Sequence, residues 1–241
     1  MFFKKNNEFD LNIQTTSKYY FENISEFIKK TEYPSWMKSI PKFSAMEHFK
    51  MSVNSLVRTT SIRHCPAFID IIKNSFSLYS PCDMTITATL DGGWRYYSVW
   101  PKFKATPHDL NIQMGPDNIL SKNGIHMKFE TPFIIKSNKR IHLYFIQPVY
   151  HNFHDFLILP GGMEINPKIG LQCNINTLLP FSNIKEDKLI KIKKGDLLCY
   201  LYYGPQYKLK DINVDFCSDS AEEHFFPERL HEVSNFEKIV S

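Results

Sequence analysis

Glycine is scarce in this chain, with 9 among 241 residues, and the 14 prolines are scattered. That excludes a collagen-like repeat and a Gly-rich linker. Long apolar runs are missing too: none approaches the ~18 residues that a helix needs to cross a bilayer. The N-terminus, MFFKKNNEFD, lacks the apolar stretch of about 7–15 residues that marks a secretory signal. Both absences lead us to expect a soluble protein that stays in the compartment where it is made. A surplus of one charge is also lacking. With 29 basic and 25 acidic residues the formal charge is +4, too even for an electrostatic nucleic-acid binder. The five cysteines (Cys65, Cys82, Cys173, Cys199 and Cys217) are odd in number, and no pair has C-x2-C or C-x4-C spacing. A zinc knuckle is thereby excluded, and reduced, intracellular thiols are expected. Catalytic signatures are absent as well. There is no G-x-S-x-G elbow, no G-x-x-x-x-G-K-[ST] loop and no convincing glycosidase carboxylate pair.

What is present is apolar and aromatic. Hydrophobic residues make up 43% and aromatics 15%, led by 20 Phe and 12 Tyr. Flat rings pack well on pleated faces, so this load fits β structure and opposes disorder. The stretch from Phe156 to Pro205 carries the clearest signal. Leu189, Ile190 and Ile192 lead to Lys194-Gly195-Asp196, and Leu197 to Tyr203 supply a second apolar run. Two such runs split by a Lys-Gly-Asp turn predict paired strands. Met84, Ile86, Ala88 and Leu90 alternate with threonines, and Asp91-Gly92-Gly93 then predicts a hairpin returning through WRYYSVW. Further strands are expected at His126–Phe129, Phe133–Lys136, Ile141–Pro148, Phe156–Leu159, Leu171–Asn176, Leu189–Lys193 and Leu197–Tyr203.

Helical spacing of Tyr20, Ile24, Phe27 and Ile28 predicts a helix over Tyr19–Lys30, and Cys65-Pro66 predicts a helix start before Ala67–Asn74. Trp36 and Met37 lie between prolines and should form a short turn plugging onto the core. A second short helix or irregular segment is expected around Met46–Asn54. The fold class is therefore mainly β, a barrel, sandwich or β-clip-like body with short N-terminal helices and a C-terminal helix. Residues 1–60 read as an arm with short helices, with an extended arm or edge strand over 1–17. Residues 61–214 read as the β-rich core and 215–241 as an acidic, then helical tail, all within one compact domain.

The order of several short pieces is familiar. Pro34-Ser35-Trp36, then HCPAFID from His64 to Asp70, SPCD from Ser80 to Asp83, FETPF, QPVYH, LPGG and IKKGDLL follow one another over about residues 19–205. In this the chain resembles a family of uncharacterised proteins of tailed bacteriophages, cyanophage-like genomes included. The resemblance implies a phage setting, and hence residence in the host cytoplasm or the virion, but no mechanism. The chain also resembles, more weakly, the β-clip architecture of dUTPase-like proteins. Gly161-Gly162-Met163-Glu164, Cys173-Asn174 and Lys194-Gly195-Asp196 stand in that order. It departs from that pattern in lacking an Arg-Ser-Gly phosphate turn and a Gly-rich C-terminal arm, and Tyr200 stands where a Gln is expected. Without those donors a triphosphate has no seat.

Three sets of residues could carry function. On the hairpin, Trp94, Arg95, Tyr97 and Trp100 combine aromatics with a guanidinium, the usual anchor set of binding surfaces. Half-buried sheet packing is the alternative for the two tryptophans. The β-clip resemblance implies that Glu164 and Asn174 line one ligand-facing wall. His151, His154 and Asp155 form the densest titratable cluster, and a three-residue spacing could turn both imidazoles toward one divalent metal. An aromatic-anchored surface loop is the competing reading. His64, Cys65 and Asp70 are weighed as a nucleophile with its base, against simple packing of Cys65 at a helix start. Together these point to a non-enzymatic accessory or virion-associated protein with no required cofactor. It would bind a phage or host protein, a small ligand or a second copy of itself. The alternatives are a nucleotide-binding or nucleotide-hydrolysing β-clip relative and a His/Asp metal enzyme.

Overall fold

A computed structural model of the protein describes residues 7–40, 62–88, 94–98, 104–108, 124–148, 150–151, 155–180 and 188–217. The fold is mainly β. Strands β1 (Glu8–Thr15), β6 (Lys104–His108), β7 (Gly124–Ser137), β9 (Leu157–Ile158), β11 (Leu171–Pro180) and β14 (Lys208–Phe216) form a six-stranded sheet in the order β14-β1-β7-β11-β9, with β6 also on β7. A five-stranded sheet runs β10 (Gly161–Ile165), β8 (Ile141–Ile146), β13 (Leu197–Tyr202), β3 (Ser75–Tyr79), β2 (Ile28–Lys30). The third sheet is β12 (Lys188–Ile192), β4 (Met84–Ala88), β5 (Trp94–Ser98). Helix α1 (Lys18–Phe27) precedes β2, and α2 (Pro66–Lys73) precedes β3.

Strand alternation builds one core between the sheets. Phe9, Leu11 and Ile13 of β1, Met127, Phe129 and Ile135 of β7, and Cys173 and Ile175 of β11 face inward from the six-stranded sheet. They join Phe76 and Leu78 of β3, Leu143 of β8 and Leu201 of β13 from the five-stranded sheet, and Ile86 and Ile190 from the third. Burial lifts the pKa of the Cys173 thiol to about 12 and that of Cys199 well upward, so both behave as inert core groups. Within the stretch expected as an arm or edge strand, residues 8–15 are neither. β1 is an inner strand, parallel to β14 and antiparallel to β7.

Pro132 accounts for a second difference from expectation, because the two segments predicted on either side of it form one 14-residue strand. β11 lines one edge of β7, while the other is divided between β6, up to Glu130, and β1, from Ile134. Proline falls in the gap between β6 and β1, where no ladder donor is missed. Opposite it the register slips: residues 131–133 of β7 face Cys173 alone. The Thr131 hydroxyl donates to the Cys173 carbonyl at 2.6 Å and keeps that acceptor satisfied.

The Lys194-Gly195-Asp196 segment is a turn with Gly195 at φ +84°, as its sequence demands. Its arms do not pair, however. β12 joins β4 and β13 joins β3 and β8, so the turn carries the chain from one sheet into another. The parallel corner between β3 and β4 lies against it. Ser80 N–H donates to the Asp196 carbonyl (2.7 Å), Gly195 N–H to the Ser80 carbonyl (2.8 Å), and Lys194 N–H to Asp83 Oδ1 (2.8 Å). Two chain segments thus bend together, and a β-bulge at Leu197–Cys199 turns both Leu198 and Cys199 into the core.

Candidate binding site on the outer face of the five-stranded sheet

On β8 the sequence IHLYFI alternates strictly: Ile141, Leu143 and Phe145 are buried, and His142 and Tyr144 project outward. Pairing with β10 sets Glu164 opposite His142 and Gly162 opposite Tyr144, while β13 sets Tyr202 on the other side of Tyr144. One outer face therefore carries a row of tyrosines, a histidine and a carboxylate. Its two ends differ in what covers them.

Over β13 and β3 the face is roofed by α2. Phe68 and Ile72 of α2 and Met37 of the 3-10 turn Ser35–Lys38 pack on Leu197 and Tyr200, forming a second cluster apart from the main core. Phe68 meets Tyr150 edge-on, with ring centroids 4.3 Å apart. The polar groups at this end are part-buried and paired. Tyr202 donates to Asp70 Oδ2 at 2.5 Å, and Asn74 donates to Asp70 Oδ1 at 2.8 Å. Burial, and then Asp70, raise the Tyr202 pKa to about 12. The Tyr200 hydroxyl is bonded to His151 Nδ1, and burial raises the pKa of the phenol. Burial lowers that of His151, opposed by a weaker contribution from the Glu32 backbone. A neutral His151 accepting the Tyr200 proton fits both shifts.

Over β8 and β10 no described element covers the face. Tyr144 is 48% exposed, and its hydroxyl has no partner among the described residues. The Cδ1–Cε1 edge of the ring sits against Gly162, where an added Cβ would come within 2.9 Å of Tyr144 Cε1. His142 stacks alongside, with 24° between the ring planes. Beside this shelf Glu164 accepts Arg140 Nε at 2.7 Å and stands 3.5 Å from His142 Nε2. The bond from Arg140 is the largest influence lowering the Glu164 pKa, with Asn166 and His142 acting in the same direction. The half-exposed Tyr144 ring, His142 and the Arg140–Glu164 ion pair thus follow one another along the outer face at a sheet edge.

Sequence reasoning reached Glu164 but missed Arg140, His142 and Tyr144, although alternation in IHLYFI already sorted the last two to the polar side. Asn174 does not share a wall with Glu164. It stands on the outer face of the six-stranded sheet, its amide donating to Gln172 at 3.5 Å and its Oδ1 buried without a described partner. Trp94, Arg95 and Tyr97 hold register positions across from Ala88, Thr87 and Thr85. The side chains of β5, like Trp100, the 89–93 turn, the 46–54 segment and the C-terminal helix, lie outside the described residues. So does His154. His151 is engaged by Tyr200, Asp155 is exposed, and no group of three His, Cys, Asp or Glu among the described residues is placed to hold a metal ion. Asp70 is held by Tyr202 and Asn74, while Cys65 occupies the N-cap position of α2 without a side-chain capping bond. No helix among the described residues is long and apolar enough to cross a membrane.

No protein-family model matches this chain, and neither a curated protein nor a solved structure does so.

Proposed function

We propose that this is a non-enzymatic binding protein whose site is the open end of the five-stranded sheet, built from Arg140, His142, Tyr144, Gly162 and Glu164. The observation that carries this reading is the Tyr144 ring, half-exposed and with one edge against a glycine. Amphipathic rings of this kind supply large contact area at low entropic cost in binding sites. The charged groups beside it are held by one another, which fits recognition better than proton transfer. An accessory or virion-associated role in a tailed phage is part of the proposal and rests on the order of motifs in the sequence.

A thermal-shift screen of sugars, nucleotides and peptides tests it. A ligand at a hundred times its Kd should stabilise the protein by about 2.7 kcal/mol. The shift should vanish in Tyr144→Ala. A panel in which every shift survives that substitution would place the site elsewhere.

A further inference from the structure

We infer that the ligand of the open end is an uncharged pyranose, presented free or within a glycan; this rests on the binding reading above. The polar groups around Tyr144 are mixed in sign and in hydrogen-bonding role. Arg140 spends its Nε on Glu164, which leaves its two amino nitrogens as donors with no partner among the described residues. Glu164 supplies acceptor lone pairs in the same place, and the Tyr144 hydroxyl can both give and accept. Arg140 and Glu164 together carry no net charge.

A phosphate or carboxylate ligand would meet the Glu164 carboxylate beside the only guanidinium in this cluster, and a cationic ligand would meet Arg140. A sugar hydroxyl, donor and acceptor at once, suits such a pair, and vicinal hydroxyls can bridge its two halves. The apolar C–H face of a pyranose lies flat on an aromatic face. Gly162 matters here for geometry: having no side chain, it leaves room for the Cδ1–Cε1 edge of the half-exposed Tyr144 ring.

Saturation-transfer NMR tests this with methyl galactoside, methyl glucoside, methyl mannoside, glucuronate and adenosine, each added to the full chain. Saturation should pass to the ring C–H protons of at least one methyl glycoside and more weakly to glucuronate. The signal should disappear in Tyr144→Ala. It should also disappear in Gly162→Ala, where the new methyl lifts the ring without removing it. Glu164→Gln should weaken binding about tenfold. All three positions are at the surface, and wild-type unfolding midpoints would certify the variants as folded. A glycoside signal that persists in both Tyr144→Ala and Gly162→Ala, or glucuronate binding tighter than every methyl glycoside, overturns the inference. If adenosine alone binds and depends on Tyr144, the site stands and the sugar assignment falls. If no compound binds in a Tyr144-dependent way, both fall.

Discussion

The two ends of the outer face of the five-stranded sheet use the same residue types to opposite effect. At the covered end Tyr200 meets His151 and Tyr202 meets Asp70, all beneath or beside α2. At the open end Tyr144 stacks on His142, and Glu164 holds Arg140. Residue type therefore does not decide what these groups do for the fold. Coverage does, because a paired polar group sealed from water stabilises a fold, whereas the same group at the surface is nearly neutral for stability and free to meet a ligand.

Removing the roof should have the largest effect. Phe68→Ala deletes a ring that is 1% exposed and packed against Ile72, Leu197 and Tyr200. It should cost about 3–5 kcal/mol in urea unfolding. Breaking the covered polar pairs should come next. Tyr200→Phe and Asp70→Ala each leave a partner unsatisfied and should cost about 1–3 kcal/mol, seen as a lower midpoint with an unchanged slope.

Acid should act through His151. Burial lowers its folded-state pKa, so below about 6.5 the unfolded chain takes up a proton that the folded chain resists. Its contribution is whole above that pH and is lost as pH falls toward the folded value. Urea midpoints at pH 8, 6.5 and 5.5 should decline in wild type, and His151→Gln should remove this group's share of the decline. The smallest effect on stability belongs to the open end. Tyr144→Ala and Arg140→Ala should leave the unfolding midpoint where it is, while Tyr144→Ala abolishes ligand response.

Much of this architecture was legible from alternation alone. IHLYFI and the Met84–Ala88 threonine alternation are strands because their inward residues are apolar at period two, and β13 reads as a short continuous apolar run because both its faces are buried. What stayed hidden was set by distant partners. β14, KLKDINVDF, buries Leu209 and little else, and is a strand because it lies parallel to β1. The local chemistry of Lys194-Gly195-Asp196 specifies a turn, but it is the Ser80–Asp83 corner that sends its arms to different sheets. The site was half-legible for the same reason. Glu164 stood out beside two glycines, whereas Arg140 and His142 become its neighbours only through the β8–β10 register. The pairing of His151 with Tyr200 was likewise hidden, because it comes from β13, 49 residues further along the chain.

Aromatic-ring NMR during a titration with the methyl glycosides tests the contrast between the two ends most directly. Resonances of the Tyr144 and His142 rings should move with saturable dependence on ligand while those of Tyr200 and His151 stay fixed. Movement of Tyr200 and His151 with Tyr144 unmoved would contradict the assignment of function to the uncovered end.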